Sequence, residues 1–419
     1  MAKRRKLKKS IKFFFFLILF ILVLGAAYFY YDNFYLDKNT TKTKEVKKEK
    51  KVLKETWPKV SKISLVATGD GLLHNAVYYD AYNASADTFD FHPQLEFVKD
   101  EIAKYDLAYY NQESVFGGRR TERFHAEYQV PGYDSYPLFN SPSEFGDAMV
   151  DIGFNLVSLA SNHSADCTWA SKTCLENSYN YWKTKGVVFD GFNGDTTKTN
   201  NYNIGEVNGI KYGFLNYTNT LNGLDSNLNG IEYLIDTYDE ATVKKEVEEL
   251  KSKVDVIIVA MHWHYASSEY STTPTESNKA IANYLSSLGV NIILGTYSHC
   301  LQPFDIIGEN NTVVFYSLGN FISNQGDIIS AVGYKGIVGI LASMDITKTE
   351  YEDGSKEIKV DNIGGDLTYT YNNNHHNYRV IPFSKMTSEY NKDYQSIYDE
   401  YYNVVTALNN NITIKPYNK

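Results

Sequence analysis

ISLVATGDGLLH (residues 63–74) and VDVIIVAMHWH (residues 254–264) are the two stretches that decide the fold. Each is a short apolar run that ends abruptly at polar residues, Asp70 in the first and His262 in the second. Such runs favour buried strands. Amphipathic helical patterns alternate with further apolar runs along the chain. This order predicts a layered α/β domain with mixed sheets.

The same patterns predict the individual elements. Strands are expected at 63–68, 107–111, 154–160, 187–189, 202–207, 210–216, 254–261, 290–294, 313–316 and 336–346. Helices are expected at 91–104, 142–153, 175–185, 239–253 and 275–288. Ser141 and Pro142 are suited to cap and begin the second helix. Asn208-Gly209 predicts a type I′ hairpin.

The N-terminus combines a basic flank with an uncharged segment. Residues 1–12 carry seven Lys and Arg, and residues 13–31 contain no charge. At ~1.5 Å per residue the second segment is long enough to cross a hydrocarbon core of ~30 Å. We predict an uncleaved single-pass anchor, with the basic flank in the cytoplasm and the rest outside the cell. A cleaved signal peptide is the alternative, although Leu24-Gly25-Ala26 resembles a cleavage site poorly.

Composition divides the remaining chain. Residues 32–62 are Lys/Glu/Thr-rich and predict a polar linker. A globular domain is expected at 63–349, followed by a C-terminal extension at 350–419 that is either additional β structure or a loosely packed tail. After residue 62 the chain holds 24 basic and 45 acidic residues, a formal charge of −21. Because this charge repels polyanions, nucleic acid is not expected as a partner.

Three cysteines occur, Cys167, Cys174 and Cys300. In an oxidising compartment the first two could form a disulfide and leave the third free. Their spacing fits two unpaired thiols equally well.

Polar clusters follow directly on the predicted strands. They are Gly69-Asp70 with His74, Asn111-Gln112-Glu113, Ser161-Asn162-His163 with Asp166, His262-Trp263-His264, Ser298-His299 and Gly319-Asn320. Taken singly, each is more often a turn or a helix cap than a site. Together they collect five of the nine histidines at strand ends, where sites form in α/β folds. Carboxylate, amide and imidazole groups suit Mn, Fe or Zn, and two such ions can activate water on a phosphoryl group.

The ordered set of motifs resembles the bacterial CapA-type poly-γ-glutamate capsule synthesis family over roughly residues 63–325. The matching pieces are GDGLLH (69–74), DLAYYNQES (106–114), YPLFNSP (136–142), GFNLVSLASNHSAD (153–166), HW…EY (262–270) and VFYSLGNFISNQ (314–325). That family is similar in fold to calcineurin-like metallophosphoesterases. The resemblance implies a four-layer sandwich of two mixed β-sheets flanked by helices.

The resemblance also implies a site and a role. By this likeness, Asp70, Glu113, Asn162, His262 and His299 would bind one or two divalent metal ions, and His163 would be the catalytic acid. The chain would then be a membrane-tethered, metal-dependent phosphoesterase of capsule biosynthesis. The alternative is a non-catalytic accessory subunit that binds or transfers an anionic envelope polymer beside other capsule synthase subunits.

Three positions and one loop depart from the family pattern. Tyr297 stands where a histidine is common, Asn278 where a glutamine is usual and Thr168 where a glycine often follows the aspartate. The loop from His264 to Ser268 is longer than usual. If the strand stays extended, His264 projects on the same face as His262. It could then replace the missing imidazole as a second catalytic histidine, whereas a loop that turns outward would leave it in solvent.

Three arginines, Arg119, Arg120 and Arg123, follow Gly117-Gly118 in an otherwise acidic domain. They indicate either a solvated loop or a clamp for carboxylate or phosphate groups.

Overall fold

A computed structural model describes residues 2–31, 56–120, 124–125, 130–194, 202–265, 269–328 and 332–418. The chain divides into two compact units, Met1–Thr56 and Trp57–Lys419. In the first unit, helix α1 spans Ala2–Tyr30. Its Phe13–Tyr30 segment has a mean hydropathy of 2.5 and is long and apolar enough to cross a membrane. A signal sequence can have the same length and hydropathy. Most of the predicted linker, residues 32–55, lies outside the described residues.

The second unit alternates strands and helices. Its helices are α2 (Asn75–Asp80), α3 (His92–Leu95), α4 (Lys99–Ile102), α5 (Glu144–Asp151), α6 (Ser171–Lys183), α7 (Glu240–Lys251), α8 (Glu276–Ser287), α9 (Gln325–Ile328) and α10 (Tyr394–Val405). Its strands begin with β1 (Lys59–Gly71), β2 (Tyr82–Asn83), β3 (Thr88–Phe89), β4 (Leu107–Gln112), β5 (Phe124–His125), β6 (Val130–Pro131), β7 (Leu156–Ser158), β8 (Val188–Asp190), β9 (Asn203–Val207) and β10 (Ile210–Thr218). They continue with β11 (Val256–His262), β12 (Ile292–Thr296), β13 (Phe304–Ile307), β14 (Thr312–Phe315), β15 (Asn320–Ile322), β16 (Val338–Glu350), β17 (Lys356–Asn373), β18 (His376–Pro382) and β19 (Thr413–Ile414).

Two mixed sheets form the centre of this unit. The first has the order β18-β17-β16-β1-β4-β7-β8, with β15 also paired to β1 and β19 to β17. The second has the order β13-β14-β12-β11-β10-β9. Strands that carry the polar clusters pair in parallel, β1 with β4 in the first sheet and β11 with β12 in the second.

The alternation of apolar residues along the strands explains how the sheets stack. Ile63 and Leu65 of β1 belong to the same buried apolar core as Val256 and Ile258 of β11, between the two sheets. Helices α2, α5 and α6 cover the outer face of the first sheet. Helices α7 and α8 cover the outer face of the second. The predicted four-layer arrangement is therefore confirmed.

Local sequence signals set several boundaries as predicted. Asn208 and Gly209 both have positive φ, 51° and 78°, as a type I′ turn between β9 and β10 requires. The Asp239 side chain caps α7 by accepting a hydrogen bond from the Thr242 backbone N–H. Thr275 and Asn278 form a reciprocal capping box at the start of α8.

Other boundaries differ from expectation. The helix predicted at 91–104 is two short helices, because hydrogen bonds such as Val98 N–H to Leu95 O reach back only three residues and tighten the chain between them. Helix α5 begins at Glu144 after Ser143. Ser141, the predicted cap, instead donates its backbone N–H to Val115 O and stays outside the helix.

The C-terminal segment is additional β structure. Strand β17 pairs with β16 along most of its length, from Glu350↔Lys356 to Val338↔Tyr369. Side chains of α10, including Ile397 and Tyr401, are buried in the core between the sheets. The boundary predicted at residue 349 therefore falls inside a β-hairpin.

Candidate metal centre

The carboxyl ends of the parallel strands meet at one edge of the two sheets. Asp70 lies near the end of β1, and Glu113 directly follows β4. His262 ends β11, and His299 follows β12 by three residues. Parallel pairing places Asp70 beside Asn111, and His262 beside Thr296. All four side chains are buried.

These side chains converge. His299 Nδ1 lies 3.5 Å from Asp70 Oδ2 and 3.7 Å from Glu113 Oε2. His262 Nε2 lies 3.8 Å from Glu113 Oε1 and 2.9 Å from Asn162 Oδ1. The structure thus brings together all five residues expected to bind metal, while their role as ligands stays a prediction.

The cluster fits a cation. Asp70 Oδ2 and both carboxylate oxygens of Glu113 are buried and accept no hydrogen bond from any residue that the structure describes. Burial and the neighbouring Asp70 charge together raise the pKa of Glu113 well above its usual value. Two adjacent buried carboxylates without donors are unfavourable unless a proton or a cation neutralises them. Ligand atoms of Asp70, Glu113 and His299 all lie within 4.8 Å of one another, close enough to share one ion.

The two histidines have opposite electrostatic environments. Burial, with the neighbouring His299, lowers the pKa of His262 well below 6.5, so its imidazole is neutral. Burial also opposes the charged form of His299, but Glu113 and Asp70 outweigh it and raise the pKa of His299 to about 9. Neighbouring groups fix both rings: His262 Nδ1 lies 2.9 Å from Thr296 Oγ1, and His299 Nδ1 lies 3.2 Å from Asn320 Oδ1.

The loop that carries His299 is strained. Tyr297 has φ 94° and His299 has φ 58°, values that residues other than glycine rarely adopt. Strained backbone of this kind concentrates at functional sites, where the surrounding fold holds it in place.

His163 and Asp166 form a buried pair at the same place. His163 Nδ1 lies 2.6 Å from Asp166 Oδ2, and its other nitrogen, Nε2, lies 3.9 Å from Glu113 Oε1. The Phe139 backbone N–H donates to the same Asp166 oxygen at 2.6 Å. The carboxylate orients the imidazole so that Nε2 faces the cluster, the geometry that a proton-donating histidine needs.

The Tyr297 ring contacts both His264 and the cluster residue His262. The imidazole of His264 contacts the Tyr297 ring edge to face at 4.7 Å, and Tyr297 also contacts His262 at 5.5 Å. His264 is half-buried, and its Nδ1 has no hydrogen-bond partner among the described residues. The Tyr297 ring thus lies among the rings of His262, His264 and His299. A catalytic role for His264 stays a prediction.

Sequence reasoning gave no role to four residues that orient the cluster. Asn111 Nδ2 donates to Asp70 Oδ1 at 2.8 Å. Thr296 contacts His262, Asn320 contacts His299 and Asp166 contacts His163. All four lie within or beside the quoted strand-end motifs, so their position was a usable signal, but the contacts that define their roles join distant segments.

Two of the three arginines near Gly117-Gly118 are paired with carboxylates. Arg119 forms two hydrogen bonds to Asp87, at 2.9 and 2.6 Å. Arg120 lies 3.2 Å from Asp134 and packs over the Trp169 ring at 3.8 Å. Arg123 lies outside the described residues.

A disulfide joins Cys167 to Cys174, and Cys300 is free and buried. The disulfide packs closely against Gly117, where a side chain would contact both sulfur atoms at less than 3 Å. Because Cys167 directly follows Asp166, the bridge constrains the segment that orients His163.

Comparison with known proteins decides the family. Residues 64–325 match the family model described as "Bacterial capsule synthesis protein PGA_cap". The chain belongs to this capsule synthesis family. The expected resemblance is confirmed.

Two curated relatives of this chain carry matching names. "PGA biosynthesis protein CapA" of Bacillus subtilis (strain 168) is 38% identical over 80 residues, which cover 19% of this chain and 20% of the relative. "Capsule biosynthesis protein CapA" of Bacillus anthracis is 27% identical over 191 residues, which cover 43% of this chain and 42% of the relative. The matches thus span less than half of either relative.

Phosphoesterases are among the solved structures that this chain resembles. The calcineurin-like phosphoesterase YfkN from Bacillus subtilis matches with a TM-score of 0.38 and 15% identity, over 74% of this chain and 91% of YfkN. A putative 5'-nucleotidase from Staphylococcus aureus matches with a TM-score of 0.40 and 13% identity, over 81% of this chain and 58% of the nucleotidase chain.

Proposed function

We propose that this capsule synthesis protein is a metal-dependent phosphoesterase, anchored in the cell membrane by α1 and active outside the cytoplasm. One observation carries the proposal. Three buried carboxylate oxygens, on Asp70 and Glu113, have no hydrogen-bond donor among the described residues, and they lie beside His163, which a third carboxylate, that of Asp166, orients.

Each residue has a defined part in this proposal. Asp70, Glu113, Asn162, His262 and His299 would hold one or two divalent ions. A bound ion of this kind polarises a phosphoryl oxygen and lowers the pKa of bound water. His163 would donate a proton from Nε2 to the leaving oxygen, and Asp166 would keep the imidazole in the required orientation. Asn111, Thr296 and Asn320 would fix the ligand side chains.

The cellular setting is part of the same proposal. Names of the relatives place them in capsule biosynthesis, and poly-γ-glutamate is the polymer we propose for this chain. We propose that the domain acts beside other capsule synthase subunits. An accessory subunit that only binds the anionic polymer is the competing function, and the charge of −21 after residue 62 weighs against it.

Metal analysis and turnover together test the proposal. The full-length chain, purified in detergent and loaded with Mn or Zn, is expected to retain metal and hydrolyse bis(p-nitrophenyl) phosphate. Glu113→Gln removes a proposed ligand without changing shape and should abolish both. Glu246→Gln changes a buried glutamate of α7, outside the cluster, and should preserve both. A wild-type chain that retains no metal and turns nothing over would favour the accessory function.

A further inference from the structure

A cavity of about 550 Å³ opens beside the cluster of proposed metal ligands. Asn162 and His299 of the cluster line it together with His163, and this volume accommodates a phosphoryl group together with a ring-sized substituent. The group attached to the phosphoester must therefore lie against the remaining walls.

Apart from the histidines, the described charged side chains that line the cavity are acidic. The described lining residues include Asp166 and Glu269, but neither lysine nor arginine. Asp166 is engaged by His163 and by the Phe139 N–H. Glu269 is exposed at the rim. Among the described lining residues, cationic groups are confined to the histidines and any ion at the cluster, where the phosphoryl group would lie, so a second anionic group on the ligand would meet Glu269.

The rest of the lining includes four aromatic side chains, those of Tyr136, Phe139, Tyr270 and Tyr297. Phe139 packs edge to face on His163 at 4.6 Å, and Tyr270 lies 5.8 Å from the His299 ring. Tyr136 also lines the cavity, and its side chain is 71% exposed. Exposed aromatic faces bind the apolar faces of flat rings and sugars.

We infer that the site takes phosphoesters of an uncharged, ring-bearing group, and that polyanions such as the capsule polymer do not enter it. The inference rests on the proposed phosphoesterase function, because that function places the phosphoryl group at the cluster. The polymer would then be handled elsewhere, and this site would act on a neutral phosphorylated compound.

Three phosphonates that differ by one feature each test the inference. Phenylphosphonate carries one anionic group and a ring, methylphosphonate lacks the ring, and 4-carboxyphenylphosphonate adds one negative charge. Titration calorimetry on the full-length, Mn-loaded chain in detergent would give their affinities. We expect phenylphosphonate to bind ~10-fold more tightly than either of the others. Methylphosphonate loses the ring contact, and the carboxylate of 4-carboxyphenylphosphonate is repelled by Glu269.

Two variants assign these differences to residues. Tyr136→Ala should lower the affinity for phenylphosphonate ~5-fold and leave methylphosphonate unchanged. Glu269→Gln should bring 4-carboxyphenylphosphonate within ~3-fold of phenylphosphonate. Tyr402→Ala, which changes an exposed tyrosine of α10 outside the cavity, is the matched control and should change neither affinity.

The outcomes separate this inference from the proposed function. Equal affinities for the three phosphonates, no binding of any, or displacement of phenylphosphonate by oligo-γ-glutamate would overturn the inference. Unchanged affinity gaps in both variants would overturn it as well. If phenylphosphonate binds selectively but phenyl phosphate is not hydrolysed, the phosphoesterase function fails and the ligand class stands.

Discussion

At the scale of single residues, the His163–Asp166 pair is the part of the site whose role can be separated from metal binding. Asp166 contacts His163 at 2.6 Å and is the residue through which the imidazole is oriented. Burial raises the pKa of Asp166, while the hydrogen-bonded His163 opposes this rise.

Asp166→Asn should therefore lower turnover while metal content stays unchanged. The amide retains the shape and can still accept the Phe139 N–H, but it no longer stabilises a charged imidazole. We expect a loss of ~10- to 100-fold in kcat, the usual cost of losing an orienting partner. In a His163→Ala background the same change should have no further effect, because the two residues act as a unit. Additive losses would mean that Asp166 acts independently of His163.

His264 provides a second prediction at this scale. If it supplies the imidazole that Tyr297 replaces, His264→Ala should weaken metal retention ~10-fold, and Tyr297→His in that variant should restore it. The contact between the two rings at 4.7 Å makes such an exchange feasible. Competition with a chelator, followed by elemental analysis, measures retention. Unchanged retention in His264→Ala would remove this residue from the site.

At the scale of elements, the disulfide between Cys167 and Cys174 joins the start of α6 to the segment before it. Replacing both cysteines by serine should lower the free energy of unfolding by ~2–3 kcal/mol, as for a short closed loop. Because Cys167 follows Asp166, turnover should fall as well. Urea unfolding of the untreated wild-type chain, the double variant and the wild-type chain in reductant measures the first effect. Equal free energies of unfolding in all three samples would contradict it.

Helix α4 is tied to the C-terminal segment through Glu101. Partial burial alone would raise the pKa of Glu101, but hydrogen bonds from Lys104 and Lys415 lower it to about 2. The stabilisation is therefore complete above the unfolded pKa of about 4.5 and is lost as the pH falls towards 2. Glu101→Gln should flatten the stability profile between these values. Glu276→Gln, which removes the exposed pair with Lys279, should leave the profile unchanged.

Elements encoded locally were predictable from the sequence. The Asn208-Gly209 turn and the Asp239 and Thr275 caps depend on residues within four positions of each other. The site motifs were found because each ends a strand. The length of β1 and the place of β17 could not be predicted, because both are set by pairing with β16 across the sheet. Orienting contacts such as Asn111 to Asp70 were missed for the same reason.

At the scale of the whole molecule, the C-terminal segment contributes to the core. A chain that ends at residue 349 loses the strand that covers β16, together with buried side chains such as Leu367 and Tyr401. It should fail to fold, because the apolar face between the sheets would be exposed. A chain that ends at Lys415 keeps these elements and should fold. Thermal unfolding followed by circular dichroism compares them, and a cooperative transition in the shorter chain would contradict the prediction.

Strand β1 also sets how this unit would respond to mechanical force. Its 13 residues run from Lys59, near the start of the unit, to Gly71, next to Asp70. A pull on the chain ahead of Lys59 would act along the strand axis, over ~40 Å. Hydrogen bonds to β16 on one side and β4 on the other cross that axis, so they would bear the load together in shear rather than open one by one. Asp70 is at the far end of this load path and would be displaced only after the pairing with β16 had yielded.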